Sequence, residues 1–515
     1  MRTRISTSVA ALAATATLGA CSLTTADTGT PTTSDVAPSS GSSVSSATTD
    51  SSATTTADTS VLASVLAANQ ASHADDNDTV VDEAGVVNIA LSSTSATSDG
   101  DGVTIDGSTI TIGQPGAYRL TGTLSDGQIV VDSAAEGKVQ LVLNGVDLTS
   151  STGSPLVIRA ADKAIIVLAD GTDNTVTDAA SYADISDDAP SAAIDSTTDL
   201  TIAGGGGLTV HGLYNDAINS SDGFVIASGT LTMDAVDDGI RGKDYIIITG
   251  GTLDITAGGD ALKSDNNTDT NRGYVAIHDG TLTISAGDDA IKGYSDVAID
   301  GGTITITDSV EGIEASSIAI AGGTIELISS DDGINVSGDN PQFVNIAGGT
   351  ITIDAEGDGF DSNGAAAMTG GTLTVYGPTN NGNGAIDADG GFDVSGGTLW
   401  AVGAAGMAQT PSEGSTQAFV SATLQSATSG DITILDADGN ELGALTSDKQ
   451  FGSIVYSSPA VAADGTYGLV VNGTTTAMVS ANQYATGMGG GPGDRSGRGW
   501  QPGQPPTGGP GDDDA

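Results

Sequence analysis

At 515 residues the chain can bury a large core, yet aromatics make up only 3% of it and 74 residues are glycine. Thr, Val, Ile, Gly and Asp abound while helix formers are sparse, which excludes a helical fold and favours short strands joined by tight turns. The 65 acids oppose 14 bases for a net charge of −51, which excludes nucleic acid as a partner because binding it needs a basic patch. Cations, or a ligand bridged by cations, fit such a surface; the plainer alternative is acidity that only keeps a long repetitive surface soluble.

In chain order, Arg2 and Arg4 precede an apolar stretch from Val9 to Leu18 and then Leu18-Gly19-Ala20-Cys21. This has the form of a bacterial lipobox, with residues 1–21 a signal peptide and Cys21 the lipidated residue. Cys21 is the sole cysteine, so disulfides play no part in the fold. Residues 22–74, rich in Ser, Thr and Ala, are expected to form a disordered tether reaching roughly 40 Å. Strand-like segments follow, among them Val103-Thr104-Ile105, Thr109-Ile110-Thr111-Ile112, Val139 to Leu143 and Ala164 to Leu168. They read as first coils of what comes next.

From residue 205 to 401 a pattern recurs nine times, marked by Leu208, Leu231, Leu253, Leu282, Ile304, Ile325, Ile351, Leu373 and Leu399. The period is about 22 residues, and each unit holds three short strands. In one unit these are Ile304-Thr305-Ile306, a segment after the acidic turn Glu311-Gly312-Ile313-Glu314, and Ile318-Ala319-Ile320. The expected fold is all-β: a parallel β-helix over residues 75–401, with coils about 4.8 Å apart. The period excludes a nine-residue calcium roll, and the lack of aromatic signatures excludes a propeller. Residues 402–484 are expected to be a small β-rich cap over the last coil, where an open strand edge needs covering. Residues 485–515, rich in Gly and Pro, read as a disordered tail.

Because coils stack in register, acids that recur at one position form a column. One column runs Asp216, Asp238, Asp260, Asp289, Glu311, Asp332 and Asp358, and departs at Gly384. Three residues on, a second runs Asn219, Arg241, Lys263, Lys292, Glu314, Asn335, Asp361 and Asp387, preceded by Asp195. Two carboxylates one coil apart repel by roughly 3–4 kcal/mol at an effective dielectric near 20. Arg241, Lys263 and Lys292 are expected to neutralise Asp238, Asp260 and Asp289. From Glu311 onward the bases vanish, which makes Glu311, Glu314, Asp331, Asp332, Asn335, Asp358, Asp361 and Asp387 candidate oxygen ligands for Ca²⁺. With three histidines and no available thiol, a zinc site is excluded. The alternative is that these carboxylates cap turns and face solvent. Tyr245, Tyr274 and Tyr294 are candidate platforms for sugar rings, or else pack a loop. Outward threonines such as Thr232, Thr283 and Thr305 form ordinary solenoid surface.

The chain resembles the carbohydrate-binding β-helix proteins of cellulosome-bearing clostridia, a family widespread as bacterial lipoproteins. The resemblance rests on Val139 to Asp147 (VQLVLNGVD), Lys163 to Asn174 (KAIIVLADGTDN), the Gly-Gly-Thr strands with Asp-Asp-Gly-Ile turns, and Ser457-Ser458-Pro459 near Tyr467. It covers about residues 75–475. It implies a right-handed parallel β-helix, bound Ca²⁺ and affinity for plant cell-wall polysaccharide, notably acidic pectin-like chains. The expected function is thus a surface-held, calcium-dependent polysaccharide-binding protein, acting as a monomer, without catalytic residues, and touching the membrane only through its lipid anchor. The alternatives are a polysaccharide lyase of related fold, with Lys263 or Lys292 as proton abstractor, or an adhesive stalk.

Overall fold

The computed structural model describes residues 60–75, 77–186, 189–338 and 342–484. The expected Cys21 anchor and the tail from 485 lie outside them. The described chain is a parallel β-solenoid of about 12 turns. Each regular coil has a first strand such as Thr281–Ala286, a second such as Ile291–Gly293 and a third such as Asp296–Ile299. Stacking these makes three faces. The first-face strands alternate exposed and buried residues, as in Thr252–Ala257, because successive side chains point to opposite sides. Their inward residues are the nine repeat markers, and every successive pair from Leu208 to Leu399 is in register. All nine are at most 1% exposed.

Corners are set by glycine where no other residue fits. Gly302, Gly323 and Gly349 sit at φ of 82–84°, in the left-handed region that L side chains avoid. At Gly301 a Cβ would run into the carbonyl oxygen of His278 in the preceding coil.

Both ends are blunted. Val103–Asp106 and Thr109–Ile112 pair antiparallel, so the expected first coil opens as a hairpin, whose second strand lies parallel to Gln128–Asp132 and joins the second face as expected. Its two-residue turn is Gly107-Ser108, with Gly107 at φ 60°, a conformation that tight hairpin turns require. At the other end Phe419–Leu435 and Glu441–Ser457 form a long antiparallel pair. Glu441–Ser457 also lies antiparallel to Thr398–Gly403, the last first-face strand, and closes its edge. The cap has its own core, including Trp400, Phe451, Tyr456 and Tyr467.

The tether reading needs correction from residue 60 onward. Ser60–Ala68 is a helix, and the chain after it runs as a strap over the outer side of the third face. Leu62 and Val65 bury against Ala298 and Ala319. Further along, Tyr274 donates a hydrogen bond to the Gln70 carbonyl (2.5 Å), His73 meets Tyr245 (2.7 Å), and Lys163 pairs with Asp78 (2.6 Å). The physical reason is that third strands such as Tyr245–Ile248 are apolar on both sides, and a ladder apolar on both sides must be covered.

Candidate functional site

The turn from first to second face places the acid column. Asp216, Asp238, Asp260 and Asp289 are each 1–3% exposed. One oxygen of each of the first three accepts a backbone N–H from the coil above. Asp238 N–H donates to Asp216 Oδ1 (3.2 Å), Asp260 N–H to Asp238 Oδ1 (2.9 Å) and Asp289 N–H to Asp260 Oδ1 (2.9 Å). The device returns later, with the N–H groups of Asp358 and Gly384 donating to Asp332 Oδ1 (2.6 Å) and Asp358 Oδ1 (2.5 Å). The column can therefore lose its acid at Gly384, because only an N–H is required there. Glu311 differs: its Oε2 accepts from Asn335 Nδ2 (2.8 Å). Where an acid accepts such an N–H, one oxygen holds the turn and the second is left for a cation.

The second column is a register ladder on the second face. Asp195, Asn219, Arg241, Lys263, Lys292, Glu314, Asn335, Asp361 and Asp387 each pair with the next. Lys263 Nζ bridges Asp238 (3.2 Å) and Asp260 (3.0 Å). Lys292 Nζ bridges Asp289 (2.7 Å) and Glu314 (2.9 Å). Arg241 instead pairs with Asp265 (2.5 Å), not with Asp238 as expected. The change from neutralised to unneutralised acids falls within the coil of Glu311, where Glu314 has a basic partner and Glu311 has none among the described residues. A lysine side chain spans the coil spacing, so Lys292 serves Glu314 as well as Asp289. Burial alone would lower both lysine pKa values, but the flanking carboxylates outweigh it and raise them.

Acids of these columns titrate high with or without a basic partner: burial and the Glu314 contact carry Asp289 to about 8 although Lys292 holds it. Burial, then the neighbouring Asp238 and Asp237 charges, push Asp216 up to about 8. Burial, opposed by the Asn335 hydrogen bond and reinforced by Glu314, takes Glu311 to about 7. Burial with the nearby Asp358 charge takes Asp332 and Asp361 to about 7. Asp358 and Asp387 are raised for the same reasons. Burial also raises Glu314, but its bonds and the Lys292 charge prevail and hold it down. Asp331 is exposed.

Three groups have carboxylate oxygens within 4.8 Å of one another: Asp216, Asp237 and Asp238; Asp260, Asp288 and Asp289; and Asp289, Glu311 and Glu314. Lysine ammonium groups reach all three, the first only through Asp238; Asp216 and Asp237 have no ion pair among the described residues. Two buried oxygens in these columns have no hydrogen-bond partner, Asp216 Oδ2 and Asn335 Oδ1. An orphaned buried oxygen is costly. A donor set of carboxylate and amide oxygens suits a hard cation such as Ca²⁺. Sequence reading placed the ligands from Glu311 onward. It assigned the acids around Asp216 to the neutralised coils, because Arg241 looked like their partner.

The tyrosine platform needs correction. Tyr245 and Tyr274 stack on each other with ring centroids 5.4 Å apart, but at 0% and 2% exposure they lie beneath the strap. Tyr294 is 49% exposed.

Fold and site together define an acidic β-solenoid with paired charge ladders on one face. The family described as carbohydrate-binding domain-containing protein matches residues 106–340 and 309–452, and the chain belongs to it. A carbohydrate-binding domain-containing protein from Acetivibrio thermocellus is 42% identical over 137 residues, which is 26% of this chain and 48% of the relative. The chain thus spans about half the length of that curated relative. A solved structure, the polysaccharide lyase-like protein from C. thermocellum in its gadolinium derivative, is 35% identical, covers 49% of this chain and 96% of its own, and has a TM-score of 0.42.

Proposed function

We propose that this protein binds acidic, pectin-like polysaccharide at a bacterial cell surface with the help of Ca²⁺. In this reading Cys21 carries the lipid anchor and the residues before the strap hold the solenoid away from the membrane. The observation that carries it is the pair of acid-rich columns, with one orphaned buried oxygen in each, Asp216 Oδ2 and Asn335 Oδ1, in a member of a carbohydrate-binding family. The residues that would hold the ion are Asp216, Asp237 and Asp238 in the early coils and Asp332, Asn335, Asp358 and Asp361 in the later ones. Bound Ca²⁺ would supply positive charge for polysaccharide carboxylates, which the acidic chain otherwise repels.

A non-catalytic role is supported by the state of the candidate bases. A lyase needs a group that accepts the C5 proton. Lys263 and Lys292 are each held by two carboxylates, which keep them protonated. The test is a calcium titration of thermal stability together with glycan binding in calcium and in chelator. A hundredfold excess of Ca²⁺ over Kd should add about 2.7 kcal/mol. An unchanged melting temperature would remove the metal from this reading, and unsaturated product from polygalacturonate would replace binding with lyase activity.

A further inference from the structure

Between Asp173–Thr177 and Ala192–Ser196 the chain leaves the coil pattern and crosses the outer side of the second face. Ala183 N–H donates to the Thr152 carbonyl (2.8 Å). Tyr182 donates its hydroxyl to Asp178 Oδ2 (2.7 Å), and Ser191 N–H donates to Asp195 Oδ2 (3.0 Å). Beside this excursion lies a cavity of about 390 Å³ whose lining includes Gln128, Ser154, Arg159 and Tyr182. That volume falls within the ~300–1,000 Å³ usual for small-molecule sites.

Two features of the cleft stand out. The Arg159 side chain is exposed, and its guanidinium has no ion pair or hydrogen bond among the described residues, in a chain where 65 acids face 14 bases. The two carboxylates on the rim are engaged elsewhere: Asp126 accepts the Ser151 N–H (2.9 Å), and Asp184 accepts the N–H and hydroxyl of Ser186 (3.1 and 2.8 Å). The second feature is aromatic. Tyr182 stacks on Tyr214 with centroids 4.2 Å apart and planes 18° apart. Tyr214 is 36% exposed and its neighbour Leu213 41% exposed. Tyr182 of this pair lines the same cavity as Arg159, in a chain only 3% aromatic.

We propose that the cleft is a subsite for one uronate residue of an acidic polysaccharide. Its carboxylate pairs with the planar Arg159 guanidinium, which matches carboxylate geometry in two parallel hydrogen bonds. Its hydroxyls meet the polar side chain of Gln128. Tyr182 closes one side, and the adjoining sugar lies on the exposed face of Tyr214, where an apolar ring surface suits the C–H face of a pyranose. The proposal rests on the polysaccharide-binding reading and adds a contact that needs no metal.

The test measures binding of a galacturonate oligomer and its methyl ester to the full chain in calcium, by calorimetry. The wild type should prefer the acid form. Arg159→Gln should weaken the acid form by about tenfold or more, as for loss of a charged hydrogen bond, and leave the ester unchanged. Tyr214→Leu should weaken both forms together. Both side chains are surface groups, so each variant should keep the wild-type melting temperature. If the wild type binds and Arg159→Gln binds both forms as the wild type does, the subsite is overturned and the binding function stands. Equal weakening of acid and ester by Arg159→Gln also overturns a uronate contact. If the wild type binds neither form, the functional reading falls and the subsite with it.

Discussion

The second and third faces are built by the same coils, yet their outward side chains are covered by different means. On the third face Tyr245, Ile247 and Tyr274 are 0–6% exposed because residues 60–82 of the same chain lie across them. On the second face the outward ladder is charged, and ammonium groups do the work of a cover: Lys263 and Lys292 each clamp acids of two coils. The difference teaches a rule for stacked repeats. An apolar ladder gains from any apolar partner, since hydrophobic burial is non-directional. A charged ladder is satisfied only position by position, because each buried carboxylate needs its own partner. The second face is therefore the one that can be left incomplete, and its incomplete positions, around Asp216 and from Asp332 to Asp361, are where a ligand has something to offer.

The comparison can be broken most severely from the third face. Deleting residues 60–82 should lower the melting temperature sharply and give dye-binding apolar surface. Tyr245→Ala alone should cost about 3–5 kcal/mol, as for loss of a large buried ring, readable by denaturant unfolding. On the second face Lys263→Met should cost about 2–3 kcal/mol, since it strands two carboxylates that are 2–4% exposed; loss of one partner from a buried pair is typically ~3–5 kcal/mol, and partial exposure of the ammonium reduces it.

The unpartnered acids give a pH test with an unusual sign. Folded Asp216, Glu311, Asp332 and Asp361 titrate at about 7–8, against about 4 when unfolded. Between those values the native state binds more protons than the unfolded state, so stability falls as pH rises. In chelator the melting temperature should be higher at pH 5 than at pH 8, and calcium should remove much of that difference. A profile that rises with pH in chelator would contradict the burial of these acids. The smallest effect is expected at Asp331→Asn, an exposed position, within about 0.5 kcal/mol of wild type. A loss well beyond that in calcium would make Asp331 a ligand.

How far the sequence reads true follows from distance along the chain. The period of about 22 residues places Leu208 above Leu231 and so on to Leu399, and each of those pairings is found. The same counting placed Asp195 through Asp387 in a single ladder, because a parallel ladder preserves register from coil to coil. Side-chain reach was not in that count. Arg241 turns to Asp265, and Lys292 extends to Glu314, through rotamer choices that spacing does not fix. Spacing could not choose between an exposed and a covered reading of the tyrosines for another reason: Tyr274 meets Gln70 across 204 positions. A signal for the cover was present in the outward Ile247 and in the apolar run of Ser60–Ala68, but nothing in sequence joined the two.

The sequence by itself determined the solenoid, its core and the alignment of its charges, since all three follow from a local repeat whose neighbours are its own copies. Only the tertiary structure decided which face is covered, which acids lack a partner, and that Arg159 and Tyr182 line one cleft. These depend on non-periodic segments, the strap and the excursion after Asp173–Thr177, folding back on the periodic body. Their positions are set by packing against distant coils, which no repeat encodes.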